Sequence, residues 1–156
     1  MLKIKIPGTE NLQLKHLVLD FNGTVAEDGH LLPGVKEKLE ILQKNLQIHI
    51  LTADTYGSAS GELKNLPVRL EIIPAENQDQ AKEELIKSLG EKEVAAIGNG
   101  RNDRLMLKKS TLGIMVIQKE GAAVEAFWAA DVLCLSIQDA LDLFLYPQRL
   151  KATLRK

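Results

Sequence analysis

The chain is predicted to be an α/β protein: one doubly wound parallel sheet flanked by helices on both faces. Short apolar runs alternate along its whole length with amphipathic stretches at helical spacing, the switching of period that parallel strands joined by crossover helices produce. Several of those runs end on a polar residue and pass at once into glycine or a helix start. No linker, repeat or low-complexity segment interrupts the pattern, so residues 1–156 read as one domain.

The elements follow in order. A strand is expected over Leu2 to Ile6, an N-terminal edge strand that Pro7-Gly8-Thr9-Glu10-Asn11 turns toward the first core strand, His16 to Asp20. A helix over Gly34 to Asn45 precedes a strand over Gln47 to Thr52, and a helix over Tyr56 to Lys64 precedes a strand over Val68 to Ile72. The next helix, Gln78 to Leu89, carries Lys82, Leu85, Ile86 and Leu89 at helical spacing. Strands at Val94 to Ile97, Gly113 to Val116 and Val132 to Leu135 then alternate with helices at Asn102 to Lys108, Ala122 to Trp128 and Ile137 to Leu145.

Composition narrows the function. Twenty Lys and Arg against 21 Asp and Glu leave a net charge of −1, and neither sign gathers into a block that would draw nucleic acid or a membrane surface. The basic residues from Arg149 to Lys156 read as a solvated terminal helix. No run reaches the roughly 18 apolar residues of a membrane span, and Met1-Leu2-Lys3-Ile4-Lys5 alternates where a signal peptide would be apolar. The single cysteine, Cys134, lies in an apolar run and reads as a buried thiol of a reducing compartment. The expected location is the cytoplasm. Phe127, Trp128, Phe144 and Tyr146 offer a surface for a homo-oligomer, although helical core packing is the plainer reading.

On such sheets, ligand sites gather at the carboxyl ends of the strands, and four segments place chemistry there. Leu17-Val18-Leu19-Asp20-Phe21-Asn22-Gly23-Thr24 ends an apolar strand on a carboxylate; a charge so placed needs a metal, a donor or a substrate, or else serves as a turn cap. Ile48-His49-Ile50-Leu51-Thr52-Ala53-Asp54 ends on a hydroxyl that suits a phosphate oxygen or, equally, an N-cap. Lys82 stands near a helix start, able to neutralise phosphoryl charge or simply to be solvated. In Val94-Ala95-Ala96-Ile97-Gly98-Asn99-Gly100-Arg101-Asn102-Asp103, the glycines admit close backbone approach and Asn99 and Asp103 offer oxygens to a hard cation such as Mg²⁺, with helix capping as the alternative.

Taken in order, these segments resemble the four signature motifs of the haloacid dehalogenase-like superfamily. The likeness is greatest to the phosphorylation domain of P-type ATPases, whose motifs read DKTGT, TGD and GDGxND, and to the small soluble P-type ATPase-like proteins. It runs from about Leu17 to Ala140, with Gly113-Ile114-Met115-Val116 and Ala129-Ala130-Asp131-Val132 echoing the ATPase pattern. The resemblance implies a Rossmann-like sheet, with Asp20 as nucleophile and Mg²⁺ ligand and the Asn22 main-chain carbonyl as a second ligand. Gly23, Thr24, Thr52 and Ala53 would surround the phosphoryl group, Lys82 would neutralise it, and Asn99 and Asp103 would complete the metal shell. The catalytic set so implied is Asp20, Asn22, Thr52 and Lys82.

Two departures stand out. Asn22 occupies the place of a general acid/base Asp, and an amide neither activates water nor protonates a leaving alcohol; help of that kind is worth about 10²–10⁴-fold in rate. Asn99 occupies the place of a metal-binding Asp, which removes a negative charge from the cation. Glu27 and Asp28 replace the missing acid only if their loop folds back. About thirty residues separate Asp20 from Thr52 and Thr52 from Lys82, which leaves no room for a cap domain or an inserted nucleotide-binding domain, so an open site is expected. The leading expectation is a slow, Mg²⁺-dependent phosphohydrolase acting through an aspartyl-phosphate at Asp20 on a phosphorylated small molecule or phosphoprotein. The alternative is a regulatory phosphoacceptor or binding domain with a degenerate site.

Overall fold

The computed structural model describes residues 1–53 and 57–156. Two predicted features, Asp54 of the second motif and the helix start at Tyr56, lie outside the described residues.

β1 (Leu2–Ile4) and β2 (Leu12–Leu14) pair antiparallel, with Leu2 opposite Leu14. They lead into β3 (His16–Asp20), a hairpin of β4 (Ala26–Glu27) and β5 (His30–Leu31), and α1 (Val35–Leu42). β6 (Gln47–Thr52), α2 (Ser58–Leu63), β7 (Arg69–Ile72) and α3 (Gln78–Leu89) follow. The second half comprises β8 (Val94–Gly98), a 3₁₀ turn (Arg101–Asp103), α4 (Arg104–Lys109), β9 (Leu112–Val116), α5 (Val124–Ala129), β10 (Val132–Cys134), α6 (Ile137–Leu145) and α7 (Pro147–Leu154).

Six strands form the central sheet in the order β10-β9-β8-β3-β6-β7, every neighbouring pair parallel. From β3 the chain runs outward through β6 and β7, then crosses back to β8 on the other side of β3. The carboxyl end of β3 therefore opens on the switch point, where diverging crossover connections leave a crevice. In β3 both side-chain rows are apolar, as a sheet covered on both faces demands. Leu17 and Leu19 join Ile48, Ile50, Leu39, Leu141 and Phe144 on one face; Val18 joins Leu51, Ala96, Ile86, Met106 and Leu107 on the other.

Three expectations are corrected. The N-terminal segment does not extend the central sheet: its pairing with β2 forms a separate two-stranded sheet that sends Ile4, Ile6, Leu12 and Leu14 into the first core cluster. Of the four C-terminal aromatics only Phe144 is core; Phe127 and Trp128 are exposed because α5 buries Ala126 alone, and Tyr146, between α6 and α7, is exposed as well. Cys134 is half-buried, and burial, followed by Asp139, pushes its thiol up to about 11, which keeps it protonated at neutral pH.

Candidate active site at the switch point of the sheet

Asp20 ends β3 with one more ladder bond beyond it, Phe21 N–H to the Leu51 carbonyl at 3.1 Å. The chain then turns so tightly that the N–H groups of Thr24, Val25 and Ala26 all donate to the Phe21 carbonyl, at 3.2, 3.0 and 3.0 Å. Gly23 enters this turn at φ +81°, a conformation that costs a side-chain-bearing residue about 1–2 kcal/mol. Thr24 is fully buried, its hydroxyl 3.4 Å from both Asp20 Oδ2 and Asn99 Oδ1. It lies between those two side chains.

Lys82 projects from the second turn of α3 and is 1% exposed. Its ammonium donates at 2.6 Å to Asp20 Oδ1 and at 2.6 Å to Asp103 Oδ1. Asp103, also fully buried, accepts with its other oxygen from Asn99 N–H at 2.9 Å and Gly100 N–H at 2.8 Å. Both Asp103 oxygens are thus engaged, and this residue, expected among the metal ligands, stands behind Lys82 as its anchor. Gly98 makes room for it, since a Cβ there would lie 2.5 Å from Asp103 Cγ.

The charges in this trio do not balance. Burial raises the Asp20 carboxyl, the neighbouring Asp103 charge raises it further, and Lys82 opposes without cancelling, so the group is pushed up to about 7. For Lys82, burial favours the neutral amine, but Asp20 and Asp103 together outweigh it and hold the ammonium up to about 12. Lys82 is therefore a permanent cation, while Asp20 is the member of the trio that releases a proton near neutrality.

A cavity of about 550 Å³ opens above them, lined by Asp20, Asn22, Thr52, Lys82, Asn99 and Glu120, with Ala53, Ser58, Gln78 and Asn102 among its other walls. Thr52 is buried at the end of β6, and Ala53 beside it is half-buried. Asn102 Nδ2 donates to Gln78 Oε1 at 2.7 Å, tying the 3₁₀ turn to the start of α3. The expected open rim carries a small flap. The β4–β5 hairpin folds back so that Asp28 and Gly29 line the cavity, with Gly29 N–H donating to Asn22 Oδ1 at 2.9 Å and Glu62 accepting from Leu31 N–H at 2.9 Å. Asp28 takes up φ +49° at the hairpin tip, whereas Glu27 turns to Lys119 at 2.9 Å.

The loop after β9 supplies two residues that the sequence reading passed over. Gln118 donates to the carbonyls of Gly23 at 3.0 Å and Thr24 at 2.9 Å, and accepts from Ile137 N–H at 2.8 Å. Glu120, two residues on, faces the cavity. The signal is present in the chain: like the segments that follow β3, β6 and β8, Ile117-Gln118-Lys119-Glu120-Gly121 sets polar residues and a glycine just after an apolar strand.

The donor set suits a hard cation. Among the described residues no group of three or more His, Cys, Asp or Glu is placed to hold a metal. Instead, the Asp20 carboxylate and the Asn99 amide oxygen face one another across Thr24, oxygens of the kind Mg²⁺ takes. Gly23 lets the turn approach Asn99 closely: a Cβ there would stand 2.6 Å from Asn99 Nδ2 and 2.8 Å from Asn99 Oδ1 and would collide with Glu120 Oε2.

No family model matches the chain. It is 51% identical over 73 residues to MJ0073 of Methanocaldococcus jannaschii, an uncharacterized protein, covering 47% of this chain and 78% of that one. It is 54% identical over 39 residues to MJ0072 of the same organism, also uncharacterized, covering 25% of this chain and 89% of that one. Among solved structures, the 3-deoxy-D-manno-octulosonate 8-phosphate phosphatase of Moraxella catarrhalis, in complex with magnesium, phosphate and its sugar, superposes with a TM-score of 0.71 at 17% identity, covering 89% and 90% of the two chains. The cobalt-bound deoxy-D-mannose-octulosonate 8-phosphate phosphatase of Haemophilus influenzae gives 0.71 at 14% identity over 92% and 94%. The catalytic domain of the CPx-ATPase CopB-B gives 0.61 at 23% identity over 73% of this chain and 45% of that one.

Proposed function

The chain belongs to the same family as MJ0073 and has the haloacid dehalogenase-like fold, and from that premise we propose that it is a slow, Mg²⁺-dependent phosphohydrolase that works through an aspartyl-phosphate on Asp20. The observation that carries this reading is the Lys82 ammonium, bonded at 2.6 Å to a carboxylate at the strand end facing the cavity and held from behind by Asp103. A buried cation so fixed is pre-organised to receive a phosphoryl group's negative charge.

Asp20 Oδ1 is taken by Lys82, whereas Oδ2, 3.4 Å from the Thr24 hydroxyl, is the oxygen that serves as nucleophile. It attacks phosphorus, the bond from phosphorus to the leaving oxygen breaks, and that oxygen departs with the electron pair. Water then attacks the phosphorus of the aspartyl-phosphate, releasing phosphate and restoring the carboxylate. Thr52, Ala53 and the Gly23-Thr24 turn hold phosphoryl oxygens, and Lys82 keeps its proton throughout. When bound, Mg²⁺ supplies further positive charge against those oxygens, held by Asp20, the Asn22 main-chain carbonyl and the Asn99 amide oxygen. The Asn22 side chain has no acidic proton to give, and its oxygen already accepts from Gly29, so good leaving groups should react best. The substrate is a phosphorylated small molecule or a phosphoprotein side chain. That two structural neighbours are phosphatases with a metal bound, one also holding phosphate, supports the reading.

The test is incubation with Mg²⁺ and acetyl phosphate or p-nitrophenyl phosphate, following product release and protein mass, with Asp20→Asn as control. Turnover that depends on Asp20 is the expected result. A stable mass adduct without turnover would instead favour a phosphoacceptor domain, a reading to which the clasped Asn22 amide lends support.

A further inference from the structure

Asn99 leaves the proposed metal position with one carboxylate, that of Asp20, against a divalent cation. Mg²⁺ sites in proteins are commonly built on one or two carboxylates, with water and substrate phosphate completing the shell. We propose that Glu120 is the second carboxylate of this site, recovering from the loop after β9 the charge that Asn99 lacks; this rests on the phosphohydrolase reading above.

Three observations carry it. The turn Gln118–Gly121 is clamped at both ends, to the nucleophile loop and to Asn99: Gln118 donates to the Gly23 and Thr24 carbonyls at 3.0 and 2.9 Å, and the Gly121 carbonyl accepts from Asn99 Nδ2 at 3.1 Å. Asn99 is tied a second time, its own carbonyl accepting from Ala123 N–H at 2.8 Å. Glu120 is thus carried by a turn locked to the metal position rather than by a loose surface loop. The bond from Nδ2 to Gly121 also fixes the Asn99 amide so that its oxygen faces Thr24 and Asp20.

The carboxylate also points inward. Glu120 Oε2 and both polar atoms of the Asn99 amide surround the point where a Gly23 Cβ would stand, which places the acid beside the amide. Lys119, its neighbour in the turn, points the other way and pairs with Glu27 at 2.9 Å. Among the described residues Glu120 has no hydrogen bond or ion pair of its own.

The experiment is calorimetric titration of the full chain with Mg²⁺ in the absence of substrate, for wild type, Asp20→Asn, Glu120→Gln, Asn99→Asp and the Glu120→Gln/Asn99→Asp double variant, with Glu27→Gln as a charge control. Glu120 is exposed, so its variant should fold, and circular dichroism checks that. Loss of the second carboxylate should weaken binding about 10- to 100-fold, the range seen when groups supporting a metal site are removed, while Glu27→Gln changes it little. Because Asn99→Asp restores the charge independently, Glu120→Gln should cost clearly less in that background. Unchanged affinity in Glu120→Gln, a loss equal to that of Glu27→Gln, or the same loss in both backgrounds overturns the assignment and leaves the phosphohydrolase reading standing. A wild type that binds no Mg²⁺ overturns both.

Discussion

The Asn22 side-chain oxygen accepts a hydrogen bond from Gly29 N–H at 2.9 Å, joining the position two residues after Asp20 to the tip of the flap. The amide at this position is not idle: it holds the hairpin over the rim of the cavity. A carboxylate can accept the same bond with one oxygen and keep the other for the substrate. Asn22→Asp should therefore retain the flap and raise turnover by about 10²–10⁴-fold, more for alkyl phosphates than for p-nitrophenyl phosphate, which needs little protonation. Steady-state rates for both substrates decide it, and equal acceleration of the two would refute the leaving-group argument. Asn22→Ala should instead speed hydrogen exchange at Gly29 N–H without raising turnover.

Lys82 is the only cation bonded to Asp20 and Asp103 among the described residues. Lys82→Met leaves two carboxylates facing each other without it, and breaking a buried ion pair from one side typically costs about 3–5 kcal/mol. Denaturant unfolding at pH 8 should show a loss of that size. At pH 5, where protonation relieves the repulsion, the loss should be smaller; equal losses at both pH values would contradict the description of the trio.

The Asp20 carboxyl, pushed up to about 7 by burial and then by Asp103, lies above the roughly 3.9 of an unfolded Asp. The folded state then binds the proton more tightly, so this group lowers the stability of the metal-free protein as pH rises from about 4 to about 7, and the full penalty persists above that range. Melting temperatures of the metal-free chain should fall across this window by more than those of Asp20→Asn. Mg²⁺ should raise the melting temperature more at pH 8 than at pH 6, because the cation binds the ionised carboxylate. A steeper slope in Asp20→Asn would reverse the sign of the argument.

Gln118→Ala removes the partner of three backbone groups at once, the Gly23 and Thr24 carbonyls and Ile137 N–H. Each buried polar group left unpaired costs about 1–3 kcal/mol where water cannot reach it. Gln118 is half-buried, so the expected loss is about 1–3 kcal/mol in total, accompanied by weaker Mg²⁺ binding as the turn carrying Glu120 loosens. Chemical unfolding and metal titration of the same variant separate the two effects.

The sheet was legible because its signals are local. β3 at His16–Asp20, β6 at Gln47–Thr52, α3 at Gln78–Leu89 and α6 at Ile137–Leu145 fall where period and composition place them; these are the long elements, whose apolar residues repeat often enough to reveal their spacing. The two-residue strands β4 and β5 and the pairing of β1 with β2 were not legible, because elements so short carry no period of their own. Likewise, the apolar run of α5 did not reveal that Phe127 and Trp128 face outward, since the direction of a short helix is decided by what it packs against.

For the site, the run of residues identifies Asp20, Thr52, Lys82 and the Gly98–Asp103 turn as groups at strand ends and helix starts, a matter of neighbours along the chain. How their oxygens are used is settled by contacts between distant segments: Asp103 with Lys82, 21 positions away, and Gln118 with Gly23, 95 positions away. A carboxylate engages whichever donors the fold brings within hydrogen-bonding distance, and each hydrogen bond it accepts leaves fewer lone pairs for a metal. Asp103 is therefore an anchor and Asn22 a clasp, roles that the packing of loops around the end of β3 assigns and that no stretch of chain encodes alone.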